Sequence, residues 1–375
     1  MYDVLVIGLG AMGSASLYHL AARGCRVVGV DALAPPHTAG STHGRSRIIR
    51  EAYYEHPSYV PLVRRAYANW AALEEKSGSV LFRQTGGLML GAPDSELIRG
   101  TLASADLHDL AVEQLTSAQV MQRFPAFAAP DDMMGVFESR AGMLFPEACV
   151  RAHLEAARAL GAEIQTNTRV VDLVRTPGQI TAVTPFGTIT ARQLVIAAGP
   201  WASALLETLG ASMPLVVERQ TMHWFEPTAL GQRLAASQFP VALVEHAPDR
   251  FFYVMPDVGD GVKAAIHHEG AIVSPDTVDR EISAADTAPA KALVTRFVPA
   301  ASDVVRESAV CLYTDTRDCD FIIDTLDGMS NVVLVSACSG HGFKFASAIG
   351  EVAALLALEK QPDVDISHFR AGRFL

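Results

Sequence analysis

Positive charge is in short supply in this chain. Thirty Lys and Arg stand against 41 Asp and Glu, a formal net charge of −11. Sequence-independent binding to nucleic acid needs a basic face toward the phosphates, so this balance excludes it while leaving room for a local cationic cluster in a cleft. Cysteine is scarce as well. Cys25, Cys149, Cys311, Cys319 and Cys338 are odd in number and include no CxxC pair. They suggest neither a disulfide framework nor a zinc site, no metal is expected, and a reducing cytoplasm is the simplest setting. Long apolar runs are missing. No stretch of about 18 apolar residues is free of charges or breakers, so no membrane span is expected. No basic segment precedes an apolar run at the N-terminus, so no signal peptide is expected either. The ending Arg373-Phe374-Leu375 is a poor match to a peroxisomal tripeptide. Internal repeats and low-complexity segments are absent.

What is present is apolar mass: hydrophobic residues make up 50% of 375 positions, more than one core usually holds, and two domains are expected. Asp3 to Ile7 (DVLVI) reads as a buried parallel strand, Ser14 to Arg23 as a helix closed by Gly24, and Arg26 to Val30 as the next strand with Asp31 at its end. This is a βαβ unit with a right-handed crossover. Residues 35–50 read as a loop leading into a helix. Helical periodicity marks 58–76, where Tyr59, Leu62, Val63, Ala66, Tyr67 and Trp70 share one face. Further helices are expected at 94–108, 147–160, 280–298 and 345–358. Strands are expected at 87–90, 135–137, 194–197 and 331–336, with 213–270 strand-rich and turning at 256–261. The fold class is α/β with an α+β second domain. Residues 1–84, 145–215 and 311–375 are expected to form a discontinuous Rossmann-type nucleotide-binding domain, and 85–144 and 216–310 a mixed-sheet substrate domain.

Gly8-Leu9-Gly10-Ala11-Met12-Gly13 matches GxGxxG between a strand and a helix. Gly8 permits the tight turn, Gly10 lets a pyrophosphate approach the backbone, and Gly13 lets helix and strand pack closely. The helix N-terminus offers free N–H groups to phosphate. Asp31 is placed to accept from a ribose hydroxyl, and an acid there disfavours a 2′-phosphate. A glycine-rich turn in an unrelated α/β protein would show the same six residues without the flanking strands. Leu194 to Trp201 (LVIAAGPW) is a second strand ending in a glycine turn, equally compatible with a return to the nucleotide sheet and with an ordinary buried strand. Ser339 to Lys344 (SGHGFK) is another glycine loop opening a helix, suited to negative charge on a reduced flavin. Lys344 sits within an apolar run rather than among surface charges. Arg45, Arg47 and Arg50 crowd a Gly/Ser-rich loop, where they either recognise carboxylate or phosphate or are simply solvated. Cys311 has nothing local to distinguish it from a small buried thiol.

Three long segments carry a resemblance: PPHTAGSTHGRSRIIR (35–50), CLYTDTRDCDFIID (311–324) and SGHGFKFAS (339–347). They resemble the family of monomeric sarcosine oxidase and N-methyltryptophan oxidase, with peroxisomal pipecolate/sarcosine oxidase also similar, and the likeness runs nearly end to end. The resemblance implies FAD joined by a thioether from its 8α carbon to Cys311 rather than Cys319. It implies a substrate carboxylate held by Arg50 and Lys344, and Lys263 activating dioxygen above the flavin. Tyr253 and His267 match active-site residues, Arg47 and His43 residues near the flavin ring, and Tyr313 one near the substrate. Ser41, Val170, Gly199, Trp201, Gly340, Gly342 and Phe343 join the glycines and Asp31 as cofactor contacts.

Three departures from the sarcosine oxidases put the substrate in doubt. The loop between Pro256 and Lys263 is one residue shorter, His268 follows His267, and Arg45-Ser46 replaces Asp-Thr, bringing positive charge toward the cofactor. A pocket wall including Met222, Trp224, Phe252 and His268 is expected to choose the substrate. The implied enzyme is a monomeric flavoprotein oxidase that takes a small secondary amino acid and dioxygen and releases an imine and hydrogen peroxide. The competing readings are a dehydrogenase of the same fold with a non-oxygen acceptor, and a non-catalytic flavin-binding redox sensor.

Overall fold

The strand Tyr2–Ile7 is buried along its second half and lies between two parallel neighbours, Val27–Val30 and Gly187–Ile196. The computed structural model describes residues 1–374; Leu375, the last residue of the C-terminal tripeptide, lies outside them. Parallel pairing continues outward through Glu163–Gln165 on one side and Met329–Ser336 on the other. Antiparallel strands Asp172–Thr176, Gln179–Thr184 and Ile322–Leu326 complete an eight-stranded sheet. Helices Ala11–Ala22, Tyr59–Ser77, Pro146–Ala159 and Ala346–Ala357 cover one face, burying Leu17, Leu20, Val63, Trp70, Val150 and Ile349 against Val4 and Val6. The start, middle and end of the chain therefore meet in one sheet.

The first helix begins at Ala11, three residues earlier than expected, and contains Gly13. A Cβ at Gly13 would lie 1.7 Å from the Gly8 carbonyl, and Gly8 itself has φ 87° with the Ala197 carbonyl 2.5 Å from a would-be Cβ. Both positions require glycine on steric grounds. Residues 35–50 do not run into a helix: Arg47–Ile49 is a short strand pairing with Gly142–Leu144, which also pairs with Phe82–Gln84. That small sheet is what fixes the arginine-rich loop.

A second, nine-stranded sheet includes Gly87–Gly91, Met134–Glu138, Val216–Pro227, Val241–Ala247, Arg250–Met255 and Val262–His267. The helix Ala284–Phe297 packs on it through Ala290, Val294 and Phe297. The expected boundary at 311 falls inside the strand Ala301–Asp315, which pairs with Val216–Pro227 from Ala301 to Asp315. Cys311 is accordingly carried by the second sheet. Among the described residues no helix is long and apolar enough to cross a membrane.

Candidate active site

One cavity of about 600 Å³ runs between the two sheets. At one end its wall is made by Gly8, Gly10, Asp31, Val170, Gly199 and Trp201; at the other by Arg47, Arg50, Tyr253, His267, Cys311, Tyr313, Gly340, Gly342, Phe343 and Lys344, with Ser41 between. Gly13 lies beneath the glycine turn, packed on Gly8. Asp31 accepts from the Leu9 and Leu33 backbone N–H groups at 2.7 and 2.9 Å, which locks the turn around the carboxylate. Two buried polar atoms at the loop, Ser41 Oγ and His43 Nε2, have no partner among the described residues. An elongated cleft with a glycine cradle over a helix N-terminus, an acid at the second strand and the unpaired Ser41 hydroxyl on its wall, with His43 behind it, fits a flavin dinucleotide.

The far end concentrates charge. Arg50 is buried; its guanidinium donates to the Ala52 carbonyl at 2.9 Å and takes both oxygens of Glu55 at 2.8 and 3.0 Å. Burial opposes ionisation of Glu55, but Arg50, His341 and Lys344 together outweigh it and hold the carboxyl below the ordinary range. The Lys344 ammonium donates to the His341 carbonyl at 2.6 Å and to the Tyr53 hydroxyl at 3.3 Å. Burial, then the nearby Arg50, bring its pKa down to about 7. Arg47 reaches Cys311 Sγ at 3.6 Å and the Ser41 carbonyl at 3.0 Å. The His267 ring meets the Tyr313 hydroxyl at 3.2 Å, and burial keeps this histidine well below its usual pKa, hence neutral. His43 is held neutral by burial too, its pKa falling to about 3.

Lys263 is not on the cavity wall. Its Nζ donates to the Gly44 and Ser46 carbonyls, each at 2.8 Å, one layer behind Arg47. Burial and then Arg47 lower its pKa well below the ordinary lysine value. Arg45 also departs from expectation. It turns away from the cavity to pair with Asp260 at 3.0 Å and Glu307 at 2.5 Å, over the Trp224 ring. Of the expected substrate wall only Met222 borders the cavity; Trp224 lies under Arg45, Phe252 is in the second core against Phe297, and His268 faces Glu218. Strand alternation explains Phe252, whose neighbour Tyr253 points to the opposite face of the sheet, whereas Trp224 shares the Met222 face and packs with Met222 and Cys311 but is covered by Arg45.

Two functional groups were not visible in the sequence. Glu55 was missed although it sits five residues after Arg50, because the bend that folds it back follows no helical or strand period. Glu147, at the start of a helix, accepts from the Gly44 and Arg45 backbone N–H groups at 2.8 and 3.0 Å and so clamps the loop bearing Arg47.

The two-sheet architecture and the dinucleotide cleft define a flavin-dependent redox protein, and comparison with known proteins agrees. The chain belongs to the FAD dependent oxidoreductase family (DAO), which matches residues 3–356. It is 39% identical over 376 residues to monomeric sarcosine oxidase of Bacillus sp. (strain B-0618), covering 99% of this chain and 96% of that protein. It is 38% identical over 375 residues to N-methyl-L-tryptophan oxidase of Yersinia pestis (strain Pestoides F), covering 100% and 99% of the two chains. Among solved structures, NikD, an unusual amino acid oxidase essential for nikkomycin biosynthesis, shares the fold with a TM-score of 0.86 at 24% identity, over 99% of this chain and 97% of that one.

Proposed function

We propose that this chain is a flavoprotein oxidase acting on the C–N bond of secondary amino acids, N-methyl or cyclic, yielding an imine that hydrolyses to aldehyde and amine, together with hydrogen peroxide. The observation that carries the reading is the buried pair of cations, Arg50 and Lys344, at the end of the cavity that also holds Cys311, Tyr313 and the Gly340–Gly342 loop. Two desolvated cations beside a single carboxylate, Glu55, suit a second, incoming carboxylate. Support also comes from the two named relatives. FAD supplies the redox chemistry by accepting hydride equivalents from the substrate.

The protein's share is orientation and charge. Arg50 and Lys344 hold the carboxylate and aim the reacting C–H bond, replacing encounter by position. His267 and Tyr313, one neutral and one kept protonated by burial, present a wall without net charge toward the amine. Arg47 fixes the Cys311 thiol, and Cys311 provides the covalent attachment through the flavin 8α carbon. Lys263, with Arg47 in front of it, meets negative charge as dioxygen is reduced. A lysine whose proton affinity is depressed by burial and a neighbouring cation regains it as negative charge grows nearby. We assign the chain a monomeric state and, from its five free thiols, a reducing cytoplasmic setting. A peroxide-coupled screen of secondary amino acids tests the reading; no peroxide and no anaerobic bleaching of the flavin with any of them would reject it.

Acid precipitation tests the attachment. The wild-type pellet is expected to keep its yellow colour, and Cys311→Ser is expected to release the colour to the supernatant. Wild-type colour found wholly in the supernatant removes Cys311 from this role.

Lys344 also sets a pH dependence. Its protonated form attracts the ligand carboxylate, and a bound carboxylate raises its pKa. Affinity for acetate is therefore full below the free-site pKa of about 7 and declines as pH rises through it. Flavin absorbance titrations across about pH 6–9 read this directly. Lys344→Met flattens the profile, and an unchanged slope in that variant assigns it to another group.

One observation favours an alternative acceptor: the Lys263 ammonium is turned to two carbonyls behind the cavity wall. A dehydrogenase would use the same substrate site and bleach under substrate without forming peroxide in air.

A further inference from the structure

Glu218, His268 and Asp315 form a second cluster of ionisable groups, none of them on the wall of the flavin cavity. One ligand atom from each lies within 4.8 Å of the other two. The scaffold is rigid. Glu218 and Asp315 sit on adjacent strands, where Val216 is in register with Asp315 and Glu218 with Tyr313. His268 directly follows the strand Val262–His267, which pairs with the other edge of Val216–Pro227.

The orientation of Glu218 is fixed from behind. Its Oε1 accepts from Gln220 Nε2 at 2.6 Å and from the Gly270 N–H, which leaves Oε2 facing His268 Nδ1 at 3.6 Å. That separation is too long for a hydrogen bond. It is close to the edge of a tetrahedron around zinc, about 3.4 Å for metal–ligand bonds of about 2.1 Å. Asp315 Oδ1 is buried and has no hydrogen-bond partner among the described residues. Two crowded carboxylates and one imidazole, with an oxygen left orphaned, describe a place short of positive charge.

We propose that Glu218, His268 and Asp315 bind one divalent transition-metal ion of the zinc class, through one nitrogen and two carboxylate oxygens, with the remaining position open to solvent. One imidazole with two carboxylates suits zinc better than the all-oxygen sets of calcium or magnesium. His268 is 30% exposed and gives the ion its path in. Hydrogen bonds to the far side of a ligating carboxylate, as Gln220 and Gly270 make to Glu218, are the usual outer support of a metal site. The three residues are scattered over nearly a hundred positions, so spacing gave no hint of them. His267 connects the site to the active cavity: it precedes His268 in the chain and bears on Tyr313. The ion would hold that end of the substrate wall in place.

The test uses the flavin-loaded protein after treatment with a chelator. Calorimetric titration with zinc chloride is expected to show one ion per chain. Thermal unfolding should move upward with zinc and not with magnesium. His268→Gln and Asp315→Asn should each weaken zinc by at least ~10-fold while the flavin spectrum, which reports folding, stays as in wild type. Should one variant lose its flavin, the other carries the comparison, and the one-ion stoichiometry of the wild type stands independently of both. A wild type that takes up no stoichiometric zinc, as a proton merely shared between the two carboxylates would give, overturns the proposal. So does uptake that both variants retain. Neither result bears on amine oxidation, which is read separately by peroxide.

Discussion

Replacing Lys263 by Met is expected to slow the oxygen half-reaction by roughly 10²–10³-fold, the usual cost of removing one group aimed at developing charge in a dry site. Anaerobic reduction by substrate should stay near wild type, since Lys263 touches neither the carboxylate pair nor the amine wall. The structure gives this expectation a definite form. The ammonium is buried against the Gly44 and Ser46 carbonyls and stands 5.8 Å from the centre of the Tyr253 ring, which does border the cavity. Its influence on dioxygen is therefore electrostatic, through a short distance and through Arg47, rather than by contact. Methionine matches the length of the side chain and removes the charge, but it also forfeits two hydrogen bonds to the loop. Flavin content and the spectrum of the oxidised protein control for that second effect. Stopped-flow measurement of the two half-reactions decides the matter. Equal slowing of both would place Lys263 in the loop's architecture and not in oxygen chemistry.

Arg50→Met and Lys344→Met are each expected to weaken a carboxylate ligand by roughly 30-fold or more, corresponding to about 2–5 kcal/mol for losing one partner of a desolvated charge pair. The ion pair with Glu55 adds a condition. Arg50 already holds a carboxylate at 2.8 and 3.0 Å, so an arriving substrate must compete with it or share the guanidinium. Glu55→Gln should then act with the opposite sign, tightening acetate binding, because the competitor loses its charge while the cation stays. Titration of flavin absorbance with acetate across the three variants tests the scheme. Unchanged affinity in Arg50→Met and Lys344→Met together would remove the carboxylate assignment, and with it the argument for an amino acid as substrate.

The parts of the cavity visible in the sequence are those whose physics is local. The spacing of Gly8, Gly10 and Gly13 between a strand and a helix places phosphate-sized room by itself, and Asp31 follows from the length of the βαβ unit. The glycine loop ahead of Lys344 is readable for the same reason. The settings of Lys263 and Arg45 are not legible locally because their surroundings come from far along the chain. Gly44 and Ser46 are more than two hundred residues from Lys263, and Asp260, in a turn, and Glu307, on a strand, are brought to Arg45 only by the second sheet. The strand character of Arg47–Ile49 escaped notice since three residues carry no period, and their pairing with Gly142–Leu144 is a tertiary fact. The apolar residue Phe252 shows the limit of composition: a large side chain near a pocket in sequence can face the opposite side of its strand, into the second core.

The way the cavity is assembled makes cofactor retention a report on strand docking. Met329–Ser336 must slot beside Gly187–Ile196 before the loop up to Lys344 has a position. A molecule with that strand undocked offers half a cleft, so flavin is held only where the two have paired.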